Sequence, residues 1–235
     1  MKQILSEWRK YINEEEKPRV NIFLDMDGVL VDFPSALKEY IKSIYSIDPR
    51  ELHPESKSSR RALSRLQNMN LSLSEIDELY DGSEHKFQSG EEYEPDEKIM
   101  SDYVFKALLG NKDLWLGMSQ LEGADTLVAE VFDLADEVFV LTAQVDEVSK
   151  EAKKEWIGNY FPQIKAANIH VDREKGERLR QLIKSGIVAE TDLNILIDDR
   201  HKFLEDFINA GGIGIQYDFQ SPNTTFEELK AVIPN

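Results

Sequence analysis

The 235-residue sequence contains no cysteine, which excludes disulfide bonds, thiolate metal ligands and thiol nucleophiles. It also has no apolar run near the roughly 18 residues that a membrane-spanning helix needs. The first residues lack the apolar core of a signal peptide. We therefore expect a cytoplasmic protein with no membrane partner.

Basic residues are scarce relative to acidic ones. The 28 Lys and Arg residues and 45 Asp and Glu residues give a formal net charge of −17. An acidic surplus of this size repels polyanions, so we expect no long nucleic acid as a partner. With 41% apolar and 31% charged residues, the chain has the composition of a soluble globular protein. Its length allows one large domain, or one domain with a small second one.

Five short apolar runs predict β-strands that alternate with helices. The runs cover residues 20–24, 138–141, 167–171, 193–197 and 213–217. Helical periodicity occupies residues 123–135, 146–160, 175–185 and 201–210. Strands without a polar face that alternate with helices predict an α/β fold, a Rossmann-like parallel five-stranded sheet flanked by helices.

The stretch 33–123 contains no convincing strand and predicts an inserted helical module. Helical patterns cover residues 34–46, 59–68, 72–80 and 97–110, and another short helix is predicted at 4–12. Ser72 and Glu75 predict a capping box, and 81–97 is typical of an exposed loop. We therefore divide the chain into an α/β core of residues 1–32 and 124–235 and an inserted helical cap of residues 33–123.

Two carboxylates, Asp25 and Asp27, follow the first predicted strand, and Gly28 after them allows a sharp turn. Such a pair can act on one phosphate ester. The first carboxylate attacks phosphorus, and the second exchanges protons with the leaving oxygen and with water. The same short motif also occurs in ordinary turns and in fragments of calcium-binding loops.

Further polar residues stand at the ends of the later strands. Thr142 ends the second strand, Lys175 lies just beyond the third, and Asp198 with Asp199 ends the fourth. Each also has a structural explanation: a helix cap for Thr142 and the aspartates, and a solvated surface position for Lys175. Because the carboxyl ends of parallel strands share one edge of a sheet, we expect these residues to converge on one crevice.

With these motifs in this order, the sequence resembles the haloacid dehalogenase-like (HAD) superfamily of phosphohydrolases. Within it, the sequence is most similar to the 5'(3')-deoxyribonucleotidases. The nearer resemblance rests on residues 23–33 (FLDMDGVLVDF), 155–156 with 160–161 (EW and YF), 172–175 (DREK) and 196–200 (LIDDR).

The resemblance implies hydrolysis of nucleoside monophosphates through an aspartyl-phosphate. It makes Asp25 the nucleophile and Asp27 the acid and base, with Thr142 and Lys175 binding phosphate. The family's frequent dimers suggest a homodimer.

The resemblance also implies Mg²⁺ as the cofactor. The ion would be held by the Asp25 carboxylate, the Asp27 backbone carbonyl and one aspartate of the Asp198–Asp199 pair. Of that pair, we favour Asp199 as the direct ligand and Asp198 as its neighbour.

The sequence departs from the family at positions that bear on the substrate. Ala143 stands where the family has a small hydroxyl residue, so one phosphate contact is missing. Residues 47–100 match the family's cap poorly. Trp115 and Phe33 are candidate substrate contacts, and Trp115 suits a core position equally well.

Three alternative functions stay open. One is a phosphatase or phosphomutase of the same fold that acts on sugar phosphates or another small metabolite. Another is a catalytically idle module that binds ligands with Mg²⁺ or serves as a scaffold, although such a module would need no Asp27. The third is a phosphatase that processes nucleic-acid ends, which needs a basic groove that only the basic residues of 57–65 could begin to supply.

Overall fold

The structure is a computed structural model, and it describes residues 18–48, 57–89 and 91–233. The helix predicted at residues 4–12 lies outside the described residues.

Five parallel strands form one sheet in the described part of the chain, in the order β3-β2-β1-β4-β5. They are β1 (Val20–Leu24), β2 (Glu137–Thr142), β3 (Ile169–Val171), β4 (Leu193–Asp198) and β5 (Ile213–Gln216). Every neighbouring pair is parallel, which confirms the predicted α/β fold. Because β1 lies between β2 and β4, the residues that follow these three strands are neighbours at one edge of the sheet.

The strands are mostly buried on both faces, which explains why most of their residues are apolar. In β1, Ile22 and Leu24 pack into one hydrophobic cluster, whereas Phe23 packs into a second cluster with Phe139 and Phe207. The sheet is thus the middle layer of a three-layer structure.

Six helices of the described chain lie between β1 and β2, and the first five fall within residues 33–123. These five are α1 (Phe33–Tyr45), α2 (Lys57–Gln67), α3 (Leu73–Ser89), α4 (Pro95–Leu108) and α5 (Lys112–Leu116). Leu37 of α1 and Leu63 of α2 belong to the same hydrophobic cluster as Leu24 of β1. These helices and the sheet therefore share a core, and the division into a core and a cap stays a prediction.

The capping box of α3 forms as predicted, with Ser72 N–H donating to Glu75 Oε2 at 2.8 Å and Glu75 N–H to Ser72 Oγ at 3.3 Å. The predicted loop at 81–97 is wrong over much of its length, because α3 continues to Ser89 and α4 begins at Pro95. The helix continues through Gly82 because α3 packs closely on α4, where Lys86 pairs with Glu97 at 2.8 Å.

The remaining helices connect the strands and cover the sheet. They are α6 (Ala124–Leu134), α7 (Glu147–Tyr160), α8 (Lys175–Lys184), α9 (His201–Asn209) and α10 (Pro222–Val232). The sequence patterns do not predict α5 or α10. The third strand begins at Ile169 rather than 167, because residues 166–168 form a 3₁₀ turn in which the Asn168 amide donates to Val138 O at 2.9 Å. None of the described helices combines the length and apolar character needed to cross a membrane.

Candidate active site

Polar side chains follow three adjacent strands at the same edge of the sheet. Asp25 comes directly after β1, Thr142 is the last residue of β2, and Asp198 is the last residue of β4. The Asp25 N–H donates to Ile197 O at 2.9 Å, which continues the pairing of β1 with β4. All three polar side chains are buried. The structure therefore brings these predicted site residues together.

Lys175 is fully buried at the start of α8 and joins two of the carboxylates. Its Nζ lies 2.9 Å from Asp25 Oδ1 and forms an ion pair with Asp198 Oδ2. Burial disfavours the ammonium, but the charges of Asp25 and Asp198 outweigh that effect and raise the pKa of Lys175. Lys175 is therefore a charged partner of Asp25 and not a solvated surface lysine.

A second buried lysine, Lys153, contacts the other residues at this edge. Its Nζ donates to Asp27 Oδ2 at 2.5 Å, to Ala143 O at 2.7 Å and to Thr142 Oγ1 at 3.2 Å. The sequence motifs do not single it out. The site thus contains two buried ammonium groups, one beside Asp25 and one beside Asp27.

Helical periodicity is the signal in the sequence that could have identified Lys153. The buried residues of α7 recur at helical spacing along one face, and Lys153 is among them: Ser149, Ala152, Lys153, Trp156 and Ile157. Lys154, the next residue, is partly exposed and pairs with Glu151 at 3.1 Å. A lysine in the apolar face of a helix must find buried acceptors, so its position indicates a charged partner.

The turn after β1 depends on Gly28. Its φ is +79°, in the left-handed region, and its N–H donates to Val31 O at 2.9 Å. A Cβ at this position would overlap the Asp199 carboxylate. Glycine therefore allows the turn and also lets the chain pass directly beside Asp199.

We expect Gly28→Ala to lower phosphate release at least about 100-fold, because the clash displaces Asp199 from its place beside Asp25. The positive φ should also lower the free energy of unfolding by about 1–2 kcal/mol. Initial rates with an aryl phosphate and urea unfolding curves measure the two effects.

Gly186→Ala is the matched control for that substitution. Its φ is +73°, and a Cβ there meets no atom within 4 Å. The control should lose similar stability and keep its activity. Equal activity in the two variants would contradict the role given to the Gly28–Asp199 contact.

Three carboxylates at this edge could hold a cation. One oxygen from each of Asp25, Asp198 and Asp199 lies within 4.8 Å of the others. Burial raises the pKa of Asp199 to about 8, and the charge of Asp25 adds to the shift. Burial and Asp25 likewise raise the pKa of Asp198 to about 6, against the opposing charge of Lys175. Crowded carboxylates of this kind favour a bound cation.

The two aspartates after β4 differ in their hydrogen bonds. Asp198 Oδ2 pairs with Lys175, and its Oδ1 accepts the N–H of Arg200 at 2.9 Å. Asp199 Oδ1, in contrast, is buried and has no hydrogen-bond partner among the described residues. Asp199 is therefore the aspartate with an oxygen available to a metal.

The two aromatic candidates, Phe33 and Trp115, stack on each other within the core. Their ring centroids are 5.6 Å apart and both side chains are buried. The Lys153 ammonium lies 4.8 Å from the Trp115 ring centroid, so Trp115 borders the site. Contact of either ring with a substrate stays a prediction.

A cavity of about 740 Å³ opens beside Gly28 and Asp199. Four of its lining residues are acidic, namely Asp32, Asp199, Asp218 and Glu228, and no lysine or arginine belongs to its described lining. Serine, threonine and aromatic side chains provide much of the remaining wall, together with Gly28, Pro34, Leu121 and Gln216. A pocket of this size can accommodate a small organic molecule.

No family model and no curated protein matches the sequence. Solved structures with a similar fold do exist. A proposed phosphoglycolate phosphatase from Lactobacillus delbrueckii subsp. bulgaricus has a TM-score of 0.52 and 14% identity, over 93% of this chain and 100% of that chain. At this identity the likeness shows a shared fold.

Two further structures are less similar. A haloacid dehalogenase-like hydrolase from Streptococcus pneumoniae has a TM-score of 0.48 and 12% identity, over 88% of this chain and 90% of that chain. A proposed β-phosphoglucomutase from Bacteroides vulgatus has a TM-score of 0.48 and 13% identity, over 100% of this chain and 98% of that chain.

Proposed function

We propose that this protein is a Mg²⁺-dependent phosphomonoesterase of the HAD type that hydrolyses a small phosphate ester through an aspartyl-phosphate. The observation that carries the proposal is the buried pair of Asp25 and Lys175, 2.9 Å apart, beside the carboxylates of Asp198 and Asp199. An anionic nucleophile, a fixed cation and a metal-binding cluster are the groups that phosphoryl transfer requires.

The residues present fit Mg²⁺, which prefers oxygen ligands. The carboxylates of Asp25 and Asp199 would hold the ion together with the backbone carbonyl of Asp27. The buried Oδ1 of Asp199, which has no hydrogen-bond partner in the described part of the chain, supports this assignment. When bound, Mg²⁺ supplies positive charge that neutralises the phosphate and the clustered carboxylates.

Asp25 would carry the phosphoryl group. Its carboxylate attacks phosphorus, and the bond from phosphorus to the leaving alcohol breaks as the new bond to Asp25 forms. Lys175 would orient the carboxylate and offset charge on the phosphoryl oxygens.

Asp27 would move the protons in both half-reactions. It donates a proton to the leaving oxygen, and then accepts one from the water that attacks phosphorus in the acyl phosphate. This second step releases inorganic phosphate and restores Asp25. Thr142 Oγ1 accepts from Lys153 at 3.2 Å, so its own hydrogen is available to a phosphate oxygen.

Helices α1 to α5, which lie within the predicted cap of residues 33–123, would cover this site. They leave the sheet directly after Asp25 and Asp27 and return to it before β2. A cap at that place could exclude water from the phosphoryl group during transfer.

The cavity beside Asp199 is the proposed place of the leaving group. Its acidic lining disfavours anionic leaving groups and favours neutral or cationic ones that bear hydroxyl groups. The nucleosides implied by the deoxyribonucleotidase resemblance meet this requirement, and so do simple sugars. Phosphoglycolate, the substrate in the name of the Lactobacillus structure, carries an additional carboxylate and does not.

A panel of phosphate esters with Mg²⁺ tests the proposed substrate. We expect kcat/KM for nucleoside monophosphates to exceed that for sugar monophosphates at least about tenfold, and 2-phosphoglycolate to be a poor substrate. Inorganic phosphate release is the measurement.

The outcomes of the panel distinguish a wrong substrate from a wrong activity. A preference for sugar phosphates would contradict the nucleotidase assignment and leave the phosphatase in place. Tight binding without turnover of any ester would contradict the proposed phosphatase activity and favour a binding module.

A further inference from the structure

Lys153 is a fully buried lysine whose hydrogen bonds are all made to the proposed active site. Its three acceptors are Asp27 Oδ2 at 2.5 Å, Ala143 O at 2.7 Å and Thr142 Oγ1 at 3.2 Å. An ammonium group has three N–H donors, so this set uses all of them. The direction of the Nζ group is therefore fixed.

Burying this charge is costly and adds little stability by itself. An ammonium removed from water loses several kcal/mol of hydration, and an apolar residue of similar size often packs as well. Trp156 and Ile157 show that the same face of α7 accommodates large apolar side chains. The position of Lys153 is better explained by what its charge does to Asp27.

The two oxygens of Asp27 have different surroundings. Oδ2 accepts the hydrogen bond from Lys153, whereas Oδ1 is buried and has no hydrogen-bond partner among the described residues. A carboxylate held at one oxygen has its other oxygen in a fixed direction. In the proposed reaction, the second oxygen is the one free to exchange a proton.

We propose that Lys153 is a positioning residue for Asp27: it holds Oδ2 so that Oδ1 transfers protons to the leaving oxygen and from water. This inference rests on the proposed function, and it adds to that function a residue outside the motifs that suggested it. Lys153 acts through Asp27 and carries no phosphoryl group itself.

The surroundings of Lys153 also connect Asp27 to the end of the inserted helices. Its ammonium lies 4.8 Å from the ring centroid of Trp115 in α5. Trp156, on the same face of α7, donates from Nε1 to Met118 O at 2.8 Å. The helix that carries Lys153 is therefore bound to the segment through which the insert returns to the sheet.

The test uses the 235-residue protein with p-nitrophenyl phosphate and Mg²⁺. This ester has a leaving group that departs without protonation, so the first step does not need Asp27, whereas hydrolysis of the aspartyl-phosphate does. The variants are Lys153→Met and, as the matched control on the same helix, Lys154→Met. Burst and steady-state release of p-nitrophenol are recorded, and thermal unfolding checks the fold.

We expect Lys153→Met to lower kcat at least about tenfold and to change kcat/KM less than about threefold, with a burst of p-nitrophenol. Lys154→Met should match the wild type. In an Asp27→Asn background, Lys153→Met should cause no further loss, because both act on the same step. If Lys153→Met does not fold, Lys153→Gln is tested instead: its shorter side chain keeps an N–H donor but reaches Asp27 Oδ2 less well, so it should show the same split with a smaller loss of kcat.

Equal losses in kcat and kcat/KM would overturn the inference. They would mean that Lys153 contacts the phosphate group or only stabilises the folded site. Unchanged kcat would overturn the inference as well. If the wild type itself releases no p-nitrophenol, the proposed function fails, and the inference fails with it. If the wild type and Lys154→Met are active but Lys153→Met does not lower kcat more than kcat/KM, only the inference about Lys153 is contradicted.

Discussion

Replacing Asp25 with asparagine is expected to lower phosphate release by about 10⁴-fold or more, because the amide has no anionic oxygen to attack phosphorus. The substitution also removes one of the two carboxylates that pair with Lys175. Initial rates with p-nitrophenyl phosphate and Mg²⁺ measure the loss. The folded state should persist, because Asp198 still pairs with Lys175.

Asp136→Asn is the matched control for this substitution. Asp136 lies at the opposite end of the sheet, where its Oδ2 accepts the N–H of Val20 at 2.8 Å. Asparagine keeps an acceptor oxygen there, so activity should be unchanged. Appreciable phosphate release by Asp25→Asn would mean that another group is the nucleophile.

Removal of divalent metal is expected to lower the rate at least about 10³-fold, since neutralising a transferring phosphoryl group is worth several kcal/mol. Without a cation, Asp25, Asp198 and Asp199 would face the phosphate as a cluster of negative or partly protonated groups. Dialysis against EDTA followed by rate measurement checks the loss. Added Mg²⁺ should restore the full rate.

EDTA that has been saturated with Mg²⁺ is the control for this experiment. It should leave the rate unchanged, because the chelator then has no capacity for the bound ion. An enzyme that keeps its rate in free EDTA would contradict the role given to the carboxylate cluster.

The sheet and the meeting of its strand ends could be predicted from local sequence. A buried parallel strand is mostly apolar, and polar residues at its carboxyl end lie at the edge of the sheet. Asp25, Thr142 and Asp198 each lie at the carboxyl end of a strand. Their proximity could therefore be predicted from the parallel arrangement of the strands. Lys175, which follows β3, also lies at this edge, with its Nζ 2.9 Å from Asp25 Oδ1.

Features that depend on tertiary contacts could not be predicted in the same way. Lys153 lies ten or more residues from each of the site residues that it contacts, and only packing of α7 on the sheet brings them together. The choice between Asp198 and Asp199 likewise depends on hydrogen bonds to Lys175 and Arg200. The extension of α3 to Ser89 arises from its packing on α4, which outweighs the presence of Gly82.

Detection of a phosphoryl group on Asp25 directly tests the proposed aspartyl-phosphate intermediate. Wild-type protein is mixed with p-nitrophenyl phosphate and Mg²⁺, quenched in acid during turnover, and mapped by peptide mass spectrometry. We expect one phosphoryl group on Asp25 and none on the Asp25→Asn protein. Rapid turnover with no phosphorylated aspartate, or with the group on another residue, would contradict this expectation.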